Sequence, residues 1–489
     1  MNRRDFLQYS MAGACAAVTA TRGAAQAAAA ARPRNMVFIL IDDMRFDGMS
    51  CAGHPFLQTP RLDALASTGM MFERAYVTTA LCSPSRASIL TGTYAHRHGV
   101  LDNATPLPEE LPIFPQALQQ AGYRTAFIGK WHMGGESDAP RAGFDHWVSF
   151  RGQGVYVDPQ FNINGARQQV TGYVTDLLTD QAVDFLKGSQ DKPFFLYLSH
   201  KAVHANFTPA PRHAGCYAQE KFPRPVSMAD TDENYRGKPQ WVRAQRASWH
   251  GVDGMYNKEV DFDDFVVQYA ETLRAVDDSV GRVVDTLREL ELLDSTLILF
   301  TSDNGFLMGE HGLIDKRCMY EPSIRVPLIA HCPNLIAAGS HSSSLVTNVD
   351  VAPTILEAAG LDAPESFQGR SFLPVLRGEE SGGREVFLYE YFWERSFSQT
   401  PTVLGVHDGR YKFMQYHGVW DTYELYDLQA DPNEMHNLLG DLQITTQGGT
   451  LDNLINHQAA PDLLALIKRM QGLLREQLAA TGCRPEPRW

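Results

Sequence analysis

From about residue 35 to residue 361, short continuous apolar runs alternate with segments whose apolar positions recur every three to four residues. That alternation predicts strands and helices of a largely parallel sheet covered on both faces. Met36 to Ile41 is a strand-length run, followed by a helix with Thr59 as cap, Pro60 at its first position and Gly69 at its end. Leu118 to Ala121 closes at Gly122 and leads to a strand at Thr125 to Ile128, and Pro193 to Leu198 supplies another. The strongest helical stripe runs from Tyr269 to Leu290, through Leu273, Val276, Val280, Val283, Val284 and Leu287, directly into a strand at Thr296 to Phe300.

After about Gly382 the pattern changes to shorter runs at Val386 to Glu394, Thr402 to His407, Arg410 to Tyr416 and Tyr423 to Leu428. Asp408-Gly409 is a two-residue hairpin signal, and a last amphipathic helix spans Asp462 to about Ala479. The chain therefore divides into a leader (1–31), a large α/β domain with a mixed, mostly parallel sheet between helices (32–381), and a C-terminal α+β subdomain (382–489). The subdomain has about four antiparallel strands and a helix, and follows a linker at Gly378 to Arg384. Residues 206–262, rich in Pro, Trp, Arg and Asp without a period, form a long insertion near the site.

The 489 residues carry a net charge of −14 with 44% hydrophobic residues, which fits a well-cored globular chain and excludes a disordered one. An acidic balance also argues against nucleic acid or an anionic bilayer as partner. An anionic substrate would need local cations. Arg3-Arg4-Asp5-Phe6-Leu7, a weakly apolar stretch and Ala25-Gln26-Ala27 read as a cleaved twin-arginine leader. This implies a bacterial protein exported by the Tat translocase to the periplasm or beyond. Arg22 interrupts the run before the roughly 20 apolar residues of a span, so no stable membrane anchor is expected. Seven cysteines show no CxxC or zinc spacing and allow no assignment of pairs.

Candidate chemistry collects after the strands. Asp42-Asp43 follow the first, Lys130 and His132 the second, His200 and His204 the third, and Asp303-Asn304 the fourth. Ligands bind at the carboxyl edge of parallel sheets, so these groups can share one crevice. Asp42, Asp43, Asp303 and Asn304 offer only oxygens, a set that selects Ca²⁺ or Mg²⁺ over zinc; singly, each aspartate could merely cap a helix. Pro84 and Gly92 bracket a helix that places Cys82 at its N-terminus with Arg86 one turn later. A bare thiol there would read as a nucleophile of lowered pKa.

Cys82-Ser83-Pro84-Ser85-Arg86, continued by Leu90-Thr91-Gly92, resembles the C-x-P-x-R maturation motif of the type I sulfatases of the alkaline phosphatase superfamily. The resemblance extends to Asp42-Asp43, Gly129-Lys130-Trp131-His132, Thr301 to Gly305, Gly309 to Gly312 ahead of Lys316, and Glu424 to Leu428 before Asp431-Pro432. It implies an alkaline-phosphatase-like fold and oxidation of Cys82 by a maturase to Cα-formylglycine. It also implies a metal, Ca²⁺ in preference to Mg²⁺, on Asp42, Asp43, residue 82, Asp303 and Asn304. By the same resemblance, a hydroxyl of the hydrated aldehyde attacks the sulfur of a sulfate ester. Arg86 and Lys130 hold the diol and sulfate oxygens, His132 is the base of the elimination step, and His204 and Lys316 serve the leaving oxygen, with His200 a rival to His204. His54, Arg97, His98, Asp102, Asn103 and His311 are candidate substrate contacts. The substrate class implied is a sulfated sugar, such as N-acetylglucosamine 6-sulfate. The alternatives are a phosphodiesterase or phosphonate monoester hydrolase of the same superfamily, and an unmatured protein that binds sulfated glycans without turnover.

Overall fold

The structure, a computed structural model, describes residues 35–258, 261–379, 383–417, 423–442 and 459–484. The leader and the expected boundary at 381/382 lie outside them. Fourteen strands are used here: β1 (Asn35–Ile41), β2 (Met70–Tyr76), β3 (Arg124–Lys130), β4 (His146–Phe150), β5 (Gln160–Ile163), β6 (Ala166–Gln169), β7 (Phe194–Ser199), β8 (Thr296–Ser302), β9 (Leu328–His331), β10 (Ser340–Thr347), β11 (Phe387–Tyr391), β12 (Thr402–His407), β13 (Tyr411–His417) and β14 (Tyr423–Asp427). The principal helices are α1 (Pro60–Thr68), α2 (Cys82–Thr91), α3 (Val174–Lys187), α4 (Phe262–Glu289) and α5 (Pro461–Thr481).

The first ten strands make one mixed sheet in the order β10-β2-β9-β8-β1-β7-β3-β4-β5-β6. Its centre, β8-β1-β7-β3, is wholly parallel, with Ile41 opposite Ser302, Leu40 opposite Ser199 and Gly129 opposite Ser199. Four strands that are far apart in sequence therefore end side by side at one edge. Alternate residues serve opposite faces: Phe38 and Leu40 join the core with Phe127 and Tyr197, while Val37, Ile39 and Ile41 pack with α3 and α4. Gly129, at φ 125°, is required where β3 meets β7, because a Cβ there would lie 1.7 Å from the Ser199 carbonyl oxygen.

Helix α4 begins earlier than the stripe from Tyr269 suggests. Phe262, Phe265 and Val266 continue the buried face upstream, and the Asp261 side chain caps the first turn by accepting the N–H groups of Asp263 and Asp264. The C-terminal sheet runs β11-β12-β13-β14, all antiparallel. Its hairpin turns one residue later than Asp408-Gly409 implies. The Asp408 N–H donates to the Tyr411 carbonyl, and Gly409, at φ 88°, takes the first central position. Leu404, Val406, Phe413 and Leu425 pack under Ile467, Met470 and Leu474 of α5.

Candidate active site

The strand-end groups meet at the edge defined by β8, β1, β7 and β3. Cys82 opens α2 at full burial, with Sγ 3.5 Å from Asp42 Oδ1 and 4.0 Å from Asp43 Oδ1. One oxygen of Asp42, one of Asp303 and the sulfur lie within 4.8 Å of one another. Asp43 (φ 60°) turns immediately after β1, where its N–H donates to Asp303 Oδ1 at 3.1 Å. Its carboxylate accepts from Asn304 Nδ2 at 2.7 Å.

Each carboxylate has its own cation. Asp42 accepts from Lys130 Nζ, Asp43 from Lys316 Nζ at 2.6 Å to both oxygens, and Asp303 from Arg86 Nε at 2.8 Å. Arg86 is fixed further by NH1, which donates to the Lys130 carbonyl and to Ser199 Oγ, both at 2.7 Å. The planar fork suits this several-sided attachment. The second anchor of Lys130 is Gln153 Oε1 at 2.5 Å. Ser83 Oγ donates to the His132 carbonyl and stands 3.5 Å from that ring's Nδ1. The Nδ1 of His204 donates to the Ala205 carbonyl at 2.5 Å, which leaves Nε2 facing the cluster, 3.9 Å from Asp43.

The electrostatics follow from burial and crowding. Burial pushes the Asp43 carboxyl up to about 7, Lys316 works against it, and Asp42 and Asp303 add to it. Burial also raises Asp303, whereas at Asp42 the burial penalty is outweighed by Lys130, His204, Arg86 and Lys316, so that group stays well below the usual carboxylate range. His132 and His204 are held neutral, first by burial and then by Lys130. For Cys82, burial outweighs Lys130 and Lys316 and holds the thiol well above its ordinary value, so the helix start does not create a thiolate.

A hard divalent cation fits this donor set. The side-chain carbonyl oxygen of Asn304 is buried without a hydrogen-bond partner, beside three buried carboxylates of which burial and crowding raise Asp43 and Asp303, and all the donors except residue 82 are oxygens.

Several candidates serve other ends. His200 donates or accepts at Ser279 Oγ (3.0 Å) on α4, behind the sheet edge, and so is no rival to His204. His98 is bonded to Ser88 Oγ at 3.0 Å and accepts the Val100 N–H. His54 Nδ1 accepts the N–H groups of Phe56 and Leu57 and organises its own turn. His311 is buried 4.0 Å from the Tyr320 ring, next to the C-terminal subdomain. Asp102 spends Oδ1 on Ala104 and Thr105, and Arg97 is exposed with no bond to the cluster among the described residues. Asn103 does reach the site, accepting the Ser83 N–H at 3.0 Å. Ser199, Gln153, Tyr156 and Lys201 were not singled out from the sequence. Ser199 and Lys201 flank His200, where the strand-end rule also reaches, but Gln153 and Tyr156 sit in segments with no distinguishing spacing.

A doubly covered mixed sheet with a buried cysteine, paired carboxylates and matched cations at its carboxyl edge defines a class of ester hydrolases built on the alkaline-phosphatase fold. Residues 34–361 match the sulfatase family model, and residues 309–460 match the N-sulphoglucosamine sulphohydrolase C-terminal model. The chain belongs to the sulfatase family and is an enzyme of sulfate-ester hydrolysis. It is 36% identical to an N-acetylglucosamine-6-O-sulfatase of Bacteroides thetaiotaomicron, over 83% of this chain and 82% of that one. It is 33% identical to the N-acetylglucosamine-6-sulfatase of Homo sapiens, covering 78% and 71% respectively. A solved structure of a protein in complex with its substrate D-glucosamine-2-N,6-O-disulfate superposes with a TM-score of 0.82 at 32% identity, covering 93% of this chain and 99% of that one.

Proposed function

We propose that the protein removes the 6-sulfate of an N-acetylglucosamine or N-sulfated glucosamine unit in the bacterial periplasm or outside the cell, after twin-arginine export. The observation that carries the reading is the burial of Cys82 against Asp42 and Asp43, with each site carboxylate paired to its own cation. The names of the similar proteins favour the amino sugar, and the Arg3-Arg4 leader favours export.

In this reading Cys82 is converted to formylglycine, whose hydrate supplies the attacking hydroxyl. A Ca²⁺ ion held by Asp42, Asp43, Asp303, Asn304 and residue 82 would acidify that hydroxyl and draw charge from the sulfuryl oxygens. The chain does the rest. Arg86 is bound on three sides and keeps residue 82 and Asp303 in register. Lys130 and Lys316 stand on either side as cations for the sulfuryl oxygens. His132, neutral in the resting site, can take the proton released when sulfate is expelled. His204 presents Nε2, and Lys316 its ammonium, toward the oxygen of the departing alcohol.

The test couples mass spectrometry to turnover in protein from its native host. The peptide containing Cys82 should be lighter by about 18 Da, the change from CH₂SH to CHO, and N-acetylglucosamine 6-sulfate should be hydrolysed faster than an aryl phosphodiester. An unmodified thiol in active protein sinks the formylglycine step, and preference for the phosphodiester sinks the substrate class.

A further inference from the structure

Lys201 follows β7 by two residues and is buried to 4% exposure, yet among the described residues no carboxylate lies within ion-pair distance of its ammonium. The three site carboxylates are already matched to Lys130, Lys316 and Arg86. Its Nζ lies instead 4.4 Å from the centre of the Tyr156 ring, and Tyr156 donates its hydroxyl to the His204 carbonyl at 2.6 Å. The turn that carries Lys201 is stitched to the first aspartate of the site. The Asp42 N–H donates to the Ala202 carbonyl at 3.0 Å, the Val203 N–H donates to the Asp42 carbonyl at 2.7 Å, and the His204 N–H closes on the Lys201 carbonyl at 3.0 Å.

A buried ammonium on an aromatic face is tolerable because the ring attracts the cation, but that attraction does not replace a counter-ion. The charged groups that act on Lys201 are Lys130, Asp42 and Asp43, all belonging to the reaction centre. We infer that Lys201 is a further cation of the catalytic pocket that contacts a non-bridging oxygen of the sulfuryl group, so that the substrate itself supplies the missing counter-ion. The inference rests on the sulfate-ester reading and adds a residue to it.

The experiment compares the matured full-length enzyme with Lys201→Met and Lys201→Arg. Each preparation is checked for wild-type melting temperature and for an equal fraction of modified residue 82. The probes are nitrophenyl sulfate, N-acetylglucosamine 6-sulfate, its N-sulfated 6-sulfate analogue, and inorganic sulfate as product inhibitor. Lys201→Met should lose about 10²–10³ in kcat/KM on all three esters, the scale of one lost electrostatic donor, and bind inorganic sulfate at least tenfold more weakly. Lys201→Arg should recover most of both. Losses below twofold would overturn the assignment, as would a loss confined to the disulfated sugar, which would place the lysine against a second anionic substituent. A wild-type enzyme inert on every sulfate ester is a separate result that defeats the functional reading itself.

Discussion

Arg86 illustrates how much of the site depends on single side chains. Its guanidinium meets Asp303, the Lys130 carbonyl and Ser199 at once, with 1% exposure. A lysine can satisfy only part of that geometry and leaves a buried carboxylate underbonded. Arg86→Lys keeps the charge but leaves buried acceptors unpaired, and is expected to destabilise the fold by about 1–3 kcal/mol, measurable by urea unfolding, and to abolish turnover. Unchanged stability would mean that the fork is not needed. Lys201 makes a second prediction at this scale. Burial, with Lys130 adding to it and Asp42 and Asp43 opposing, brings its pKa down to about 8, so its charge is present below that pH and is lost above it. The kcat/KM of the free enzyme should therefore fall as pH rises through about 8, and a Lys201→Arg enzyme should stay flat over the same range. Asp42, Asp43, Asp303, Asn304, Cys82 and Arg86 were legible because strand ends and a helix start fix where such residues can stand. Lys201 and Gln153 were not, since nothing in sequence spacing tells a buried loop cation or amide from a solvated one.

At the scale of elements, the central strands were readable as apolar runs, whereas their order in the sheet depends on pairings between residues 70 or more positions apart and leaves no local trace. The same holds for the segment that presents Lys316. Asp315 and Arg317 flank it in left-handed backbone, at φ 82° and 81°, a conformation that costs of order 1–3 kcal/mol per non-glycine residue. Three ties hold it: Arg317 to Asp315, Arg317 Nε to Glu394 Oε1 at 2.9 Å, and the Ile314 N–H to the His250 carbonyl at 2.8 Å. The insertion thus packs beside the site as expected, and the C-terminal subdomain reaches it through Glu394. Glu394→Gln replaces a charged acceptor by a neutral one and should cost about tenfold in kcat/KM, with the loss of Lys316 placement appearing in kcat. A variant with wild-type kcat would show that the loop holds its shape without this tie.

At the scale of the whole molecule, a cluster of three buried carboxylates under an otherwise apolar sheet would make the divalent cation of the proposed mechanism a structural component as well as a catalytic one. Chelation with EGTA should abolish turnover and lower the melting temperature, and Ca²⁺ should restore both together, because a ligand bound only by the folded state stabilises it by mass action. Retention of full activity after exhaustive chelation would remove the metal from the reaction.

The C-terminal subdomain is also joined to the helical turn after α2 by a charge pair, and it sets a pH limit on the assembly. His96, on the helical turn after α2, gives Nδ1 to Glu390 of β11 at 2.7 Å and Nε2 to the Thr481 carbonyl at the end of α5 at 3.0 Å, with Cys483 Sγ 3.8 Å from the same carboxylate. Burial opposes the charge on His96, but Cys483 and Glu390 outweigh it and push the group up to about 10. A histidine whose pKa is raised on folding binds its proton more tightly in the native state than in the unfolded chain. Its contribution is thus complete below the ordinary value near 6.5 and is lost as pH rises toward 10. The melting temperature of the wild-type enzyme should accordingly exceed that of His96→Gln at pH 6 by about 2 °C or more. The gap should close progressively as pH rises toward and past 10, because above that pH the imidazole is neutral in both states and only its neutral hydrogen bonds remain. A gap independent of pH would mean that His96 ties the C-terminal helix to the catalytic domain without its charge.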